Sequence, residues 1–162
     1  MNINFKEALN FVIKWEGFIS NDPKDDTPGM LINELAKDPG GLTIWGISER
    51  SHKVAVWMMY DLINEGKKEE AFKIASDIYY EVYWLKSGCE HMQPPMDLIV
   101  FDTAVNMGRS MAEKLWDESK GDYKKFLLDR LYIYSKFKQA KLFFRGWANR
   151  TLDLYKFVKE KV

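Results

Sequence analysis

From Asn4 onward, Phe5, Leu9, Val12 and Ile13 recur at i, i+4, i+7 and i+8, the spacing of one apolar stripe along a helix. Glu16 falls next on that stripe, so a carboxylate is steered toward the core in the last turn. Asn4 and Glu7 have the spacing of a capping box at the start, and Gly17 suits the left-handed residue that closes a helix. The pattern then changes. Residues 17–47 hold most of the turn chemistry (Asn21-Asp22-Pro23, Thr27-Pro28-Gly29 and Asp38-Pro39-Gly40-Gly41), with short apolar pieces at Phe18-Ile19 and Leu42 to Trp45 that predict a small hairpin. Met30 to Lys37 has room for one or two helical turns. Beyond Ser48, a predicted cap, Val54, Trp57, Met58 and Leu62 mark the face of a second helix that stops at Gly66. A third carries Ala71, Ile74, Ala75, Ile78, Val82 and Leu85 and ends at Gly88. Met96 to Val105 is nearly all apolar, which predicts a buried central helix closed by Gly108. Asp122 opens a long helix with Phe126, Leu127, Tyr134 and Phe137, and the last helix carries Leu142, Phe143, Trp147, Leu152, Tyr155 and Val158. The prediction is a mainly α single domain over residues 1–162. It consists of a loop-and-strand lobe, residues 18–47, where function is expected, and a helical lobe, residues 48–162.

Composition narrows the class of protein. With 162 residues, 46% hydrophobic and 15% aromatic, the chain can bury a real core, so disorder is not the expectation. Lys plus Arg equals Asp plus Glu at 24 each, and no net field points to nucleic acid or an anionic membrane as partner. Charge is nonetheless uneven: from Gly121 onward eleven basic residues face four acidic ones. That basic surface is either a solvated helix face or an attraction for an anionic polymer such as a cell wall. Cys89 is the single cysteine, which excludes an internal disulfide; with only His91 and His52 beside it a structural zinc site is not expected. No apolar run is long enough to span a bilayer, and the first residues read as an amphipathic helix and not as a signal segment. The chain is therefore expected to be made in the cytoplasm and to reach an outside target by release or export.

Several residues can carry chemistry. Glu16, a carboxylate turned toward the core at a helix end, is a candidate general acid. Asp102 and Asn106, four apart in an apolar helix and followed by Arg109, either knit the core or face a cleft. Trp45, beside the Gly-rich turn, offers a flat face to a sugar ring, or packs in the core. Asp22, Asp25 and Asp26 crowd one loop but lack the alternation and distal Glu of a calcium-binding EF-hand loop.

Four runs in order carry a resemblance that spans nearly the whole chain. They are Glu16-Gly17-Phe18-Ile19-Ser20-Asn21-Asp22-Pro23, Asp38-Pro39-Gly40-Gly41-Leu42-Thr43-Ile44-Trp45-Gly46-Ile47, Phe101-Asp102-Thr103-Ala104-Val105-Asn106-Met107-Gly108 and Gly146-Trp147-Ala148-Asn149-Arg150. Together with the Tyr83-Trp84 pair between them, these resemble glycoside hydrolase family 108, phage and bacterial N-acetylmuramidases with a lysozyme-like α+β fold. The resemblance implies that Glu16, matching the family's Glu-Gly-Gly-aromatic motif, is the general acid, although Phe18 stands where a second glycine is common. It implies Asp38 as the loop aspartate, with Lys24 to Lys37 as extra residues; Asp25 stands at the spacing an uninterrupted loop would use, and Asp22 is a further candidate. Thr43 matches a threonine that orients the attacking water. Asp22, Trp45, Asp102 and Asn106 would then hold the sugar. After Gly108 the chain also departs from relatives that carry a longer wall-binding stretch.

The function so implied is hydrolysis of the β-1,4 bond between N-acetylmuramic acid and N-acetylglucosamine. The expected partner is bacterial peptidoglycan, the expected state a monomer, and no cofactor or metal is required. Two rivals come from other classes: a non-catalytic peptidoglycan-binding virion or secretion-associated protein on a lysozyme-like scaffold, and a helical module whose aromatics serve a protein partner.

Overall fold

The first apolar stripe becomes helix α1, Ile3–Glu16, in the computed structural model, which describes residues 3–20 and 41–161. Phe5, Ala8, Leu9, Phe11 and Val12 are buried, and Gly17 follows with φ +71°, the left-handed conformation that ends the helix. The capping box does not form. Asn4 lies inside the first turn and its side chain bonds Asp97, while Glu7 pairs with Lys161, so both predicted capping groups are taken by distant partners.

The chain divides into two compact units, Leu9–Tyr79 and a second built from Met1–Ala8 with Tyr80–Val162. The division differs from the predicted lobes because the second half of α1 and the two helices after the sheet cluster with the strands. In the first unit β1 (Ile19–Ser20), β2 (Thr43–Ile44) and β3 (Ile47–Ser48) form an antiparallel sheet in that order. The register sets Ile19, Ile44 and Ile47 abreast, with Ile44 and Ile47 buried, and Ser20, Thr43 and Ser48 abreast on the opposite face. Helices α2 (Glu49–Asn64) and α3 (Lys68–Ile78) pack on each other and close the unit. The predicted turns of Met30 to Lys37 lie outside the described residues.

The face predicted for α2 is the wrong one. Val54 is 74% and Met58 52% exposed, whereas Val56, Met59 and Tyr60 are buried. The helix is apolar on more than one side, so periodicity alone does not choose its inner face; His52 (φ −140°, ψ 54°) also breaks the helical geometry before the stripe begins. Ser48 occupies the cap position in extended geometry, but its hydroxyl meets Ser51 rather than a backbone N–H.

The second unit begins with a register change. Tyr79–Trp84 is wound as a π-helix, followed by a 3-10 turn, Leu85–Ser87. The wider winding rotates the face, so Trp84 is fully buried and Leu85, predicted as core, is 43% exposed. Helix α4 (Met96–Met107) is the buried central helix expected from its composition, enclosed from Met96 to Ala104. Helix α5 (Arg109–Ser119), which burial of Ala112 and Leu115 holds against α4, was not predicted. Helix α6 (Tyr123–Lys136) starts where Asp122 was expected to cap it, the carboxylate accepting from the N–H groups of Lys124 and Lys125 at 2.9 and 3.1 Å. Helix α7 (Ala140–Lys159) turns Leu154 and Val158 inward together with Arg150 and Thr151, polar residues that a hydropathy pattern does not assign to a core. Leu142, Phe143, Leu152 and Tyr155 of its predicted stripe are exposed. The fold class is mainly α with a small sheet, in keeping with a lysozyme-like fold.

Candidate active site

Glu16 is the last residue of α1 and is half-buried. The reversal at Gly17 brings the following strand alongside β2, and the Trp45 N–H donates to the Phe18 carbonyl at 2.6 Å. Only two residues, Trp45 and Gly46, join β2 to β3, and both have positive φ, 46° and 77°. A two-residue hairpin turn of type I′ requires that pair of signs and usually takes Asn-Gly. For a bulky residue like Trp45 the conformation costs on the order of 1–3 kcal/mol and persists only when its surroundings hold it.

Four contacts hold it here. The indole packs against Phe18 and Phe72, with ring centroids 5.0 and 5.1 Å away. Its N–H is taken by Phe18, and its carbonyl accepts a 2.7 Å hydrogen bond from the buried Tyr79 hydroxyl. The turn so fixed lies directly on Glu16. A Cβ at Gly46 would stand 2.7 Å from Glu16 Oε2, 2.8 Å from the Tyr79 oxygen and 2.9 Å from Glu16 Cβ, closer than real side chains tolerate. The glycine is demanded twice, by its positive φ and by the acid against it.

Thr43 is half-buried on β2, in the row with Ser20 and Ser48, and its hydroxyl lies 3.5 Å from the Gly41 carbonyl. Gly41, also at positive φ, is backed by Glu49, whose Oε2 is 3.0 Å from where a Cβ would be and whose Oε1 accepts from the Trp57 indole at 2.9 Å. Neither Glu49 nor Tyr79 stands out in the sequence; Tyr79 reaches Trp45 across 34 residues, and with Tyr80 and Tyr83 close by nothing local marks it.

The remaining candidates divide into three groups. Asp22 and Asp38, with Asp25 and Asp26, lie outside the described residues. Trp45 is not an open platform: its ring is 5% exposed and its neighbours cover it, so its part is to shape the turn. Asp102, buried, and Asn106, half-buried, belong to one polar network of the second unit. Asp102 is fully enclosed, accepting from Arg130 Nη1 at 2.6 Å and from Arg150 Nε at 2.9 Å, and Arg130 also reaches Thr103 at 3.0 Å. Asn106 accepts from the Tyr134 hydroxyl, and Tyr134 stacks on Trp147 at 4.9 Å. Burial alone would raise the Asp102 carboxyl, but the two guanidinium groups override it and hold the carboxylate below its usual range. A group with no exposed surface and both oxygens in ion pairs has nothing to offer a sugar. Cys89 is buried, and burial pushes its thiol up to about 12, so it is not a nucleophile. Arg109 is exposed at the start of α5. Among the described residues no group of three or more His, Cys, Asp or Glu is placed to hold a metal, and no helix is long and apolar enough to cross a membrane.

A helical scaffold with a small antiparallel sheet, whose tip is pressed onto a carboxylate at the exit of the first helix, has the parts of a glycoside hydrolase. Residues 9–108 match the glycosyl hydrolase 108 family, and the chain belongs to that family. The match contains the whole of the first unit and ends at Gly108, where α4 closes. No curated protein and no solved structure matches the chain.

Proposed function

We propose that the protein is a peptidoglycan hydrolase, an N-acetylmuramidase that cleaves the β-1,4 bond between N-acetylmuramic acid and N-acetylglucosamine. The observation that carries this reading is the seating of Glu16, the residue that the resemblance makes the acid: it is half-buried, with its carboxylate against the Gly46 backbone. In the reaction Glu16 donates its proton to the glycosidic oxygen as the bond to the anomeric carbon breaks, and positive charge builds on the ring. A second carboxylate, which family resemblance puts at Asp38, either attacks that carbon or activates the water that does. Thr43 orients the water, and the hydroxyl row of Ser20, Thr43 and Ser48 gives the sugar hydrogen-bonding partners beside the acid's sheet. The exposed lysines of α6 and α7, among them Lys124, Lys136, Lys156 and Lys159, favour an anionic wall polymer.

The decisive comparison is wild type against Glu16→Gln on purified peptidoglycan, reading new reducing ends. Loss of a general acid lowers the rate by about 10²- to 10⁴-fold, and sedimentation with the wall is expected to survive. Cutting that persists in the folded variant refutes the acid assignment; binding by wild type without any cutting favours a non-catalytic wall-binding protein.

A further inference from the structure

We propose that Tyr79 is a positioning residue for Glu16, acting through the backbone of the hairpin turn; the inference rests on Glu16 being the acid. Tyr79 is 1% exposed and so cannot touch a glycan. Its hydroxyl instead donates to the carbonyl of Trp45, a residue held at φ 46° where a tryptophan does not settle unaided. The next residue, Gly46, leaves no space for a methyl group between its own backbone and the Glu16 carboxylate. Tyr79, Trp45, Gly46 and Glu16 therefore form one mechanical chain. The hydroxyl pins the carbonyl, the pinned carbonyl fixes the turn, and the turn walls in the carboxylate so that few side-chain rotamers are open to it.

The ring and the hydroxyl of Tyr79 have separable duties. The ring fills core space; the hydroxyl sets the turn. Removing the hydroxyl alone leaves the Trp45 carbonyl unpinned and lets the Trp45–Gly46 peptide shift away from Glu16, which then samples orientations that do not aim its proton at the scissile oxygen. Misplacement of this kind lowers the rate of the chemical step and leaves ground-state sugar contacts in place.

The test uses the full chain and soluble glycan fragments prepared from peptidoglycan, with Tyr79→Phe, Gly46→Ala and Glu16→Gln side by side. Tyr79→Phe is expected to lower kcat by about 10-fold with KM within about twofold of wild type, and Gly46→Ala, which drives a methyl group at the carboxylate, by about 10²-fold. NMR couplings along the Glu16 side chain should report one dominant rotamer in wild type and averaged rotamers in Tyr79→Phe. Unchanged kcat and unchanged couplings in a folded Tyr79→Phe overturn the proposal. So does a loss accompanied by a lower melting temperature with Glu16 couplings as in wild type, because that is a purely structural role. If Tyr79→Phe does not fold, the wild-type couplings decide: averaged Glu16 rotamers in wild type overturn the proposal. Cutting that persists in Glu16→Gln removes the acid itself; an inactive Glu16→Gln beside a fully active Tyr79→Phe removes only the positioning role.

Discussion

Asp102 is the residue whose neighbourhood most changes its meaning. Its sequence context admits a cleft or a core, and two arginines, 28 and 48 positions further along, decide for the core. Nothing local announces them. Removing the charge leaves two guanidinium groups enclosed without their counterion, so Asp102→Asn is expected to destabilise the protein by about 3–5 kcal/mol, read from urea unfolding at neutral pH. The sign of the pH dependence follows from the depressed carboxyl. The contribution is fully present above the unfolded value, about 3.9, and is lost as pH falls through the lower folded value. The stability gap between wild type and Asp102→Asn should therefore begin to narrow below about pH 4, as the unfolded carboxyl takes up its proton, and close only once pH has passed the lower folded value; a gap that stays constant through that range contradicts the ion-pair assignment. Glu16 was legible for the opposite reason: its position in an amphipathic repeat and the glycine after it are both local.

Among the elements, those with local punctuation were readable. The glycine that ends α1, the Asp122 cap of α6 and the unbroken apolar run of α4 stand as expected. Phase was harder. In α2 one apolar face competes with another, and tertiary packing chooses between them; in Tyr79–Trp84 a π-helical turn rotates the chain without any change in composition. The corrected phase of α2 can be checked by paired substitutions. Met59→Ala, at a fully buried site, is expected to cost about 2–5 kcal/mol. Met58→Gln, its 52% exposed neighbour, should stay within about 0.5 kcal/mol. Equal costs in chemical unfolding would return the helix to the predicted face. Of the candidate site, the place of Glu16 at the helix exit and of Thr43 on a short strand could be read from local pattern, while the hydrogen bond from Tyr79 could not, since a bond between a side chain and a distant carbonyl leaves no periodic trace.

At the scale of the whole molecule, the family match and the compact units do not share their borders. The match covers the first unit entirely and stops at Gly108, within the second. Yet the counterions of Asp102, inside the match, come from Arg130 on α6 and Arg150 on α7, both outside it. The last two helices are thus no dispensable appendage. A gene trimmed to the matched segment would encode a central helix with a naked anion at its heart. Such a fragment is expected to be recovered insoluble or to give an unfolded circular dichroism spectrum, and a minimal version of this protein has to keep its C-terminal third or replace Asp102 with an apolar residue first.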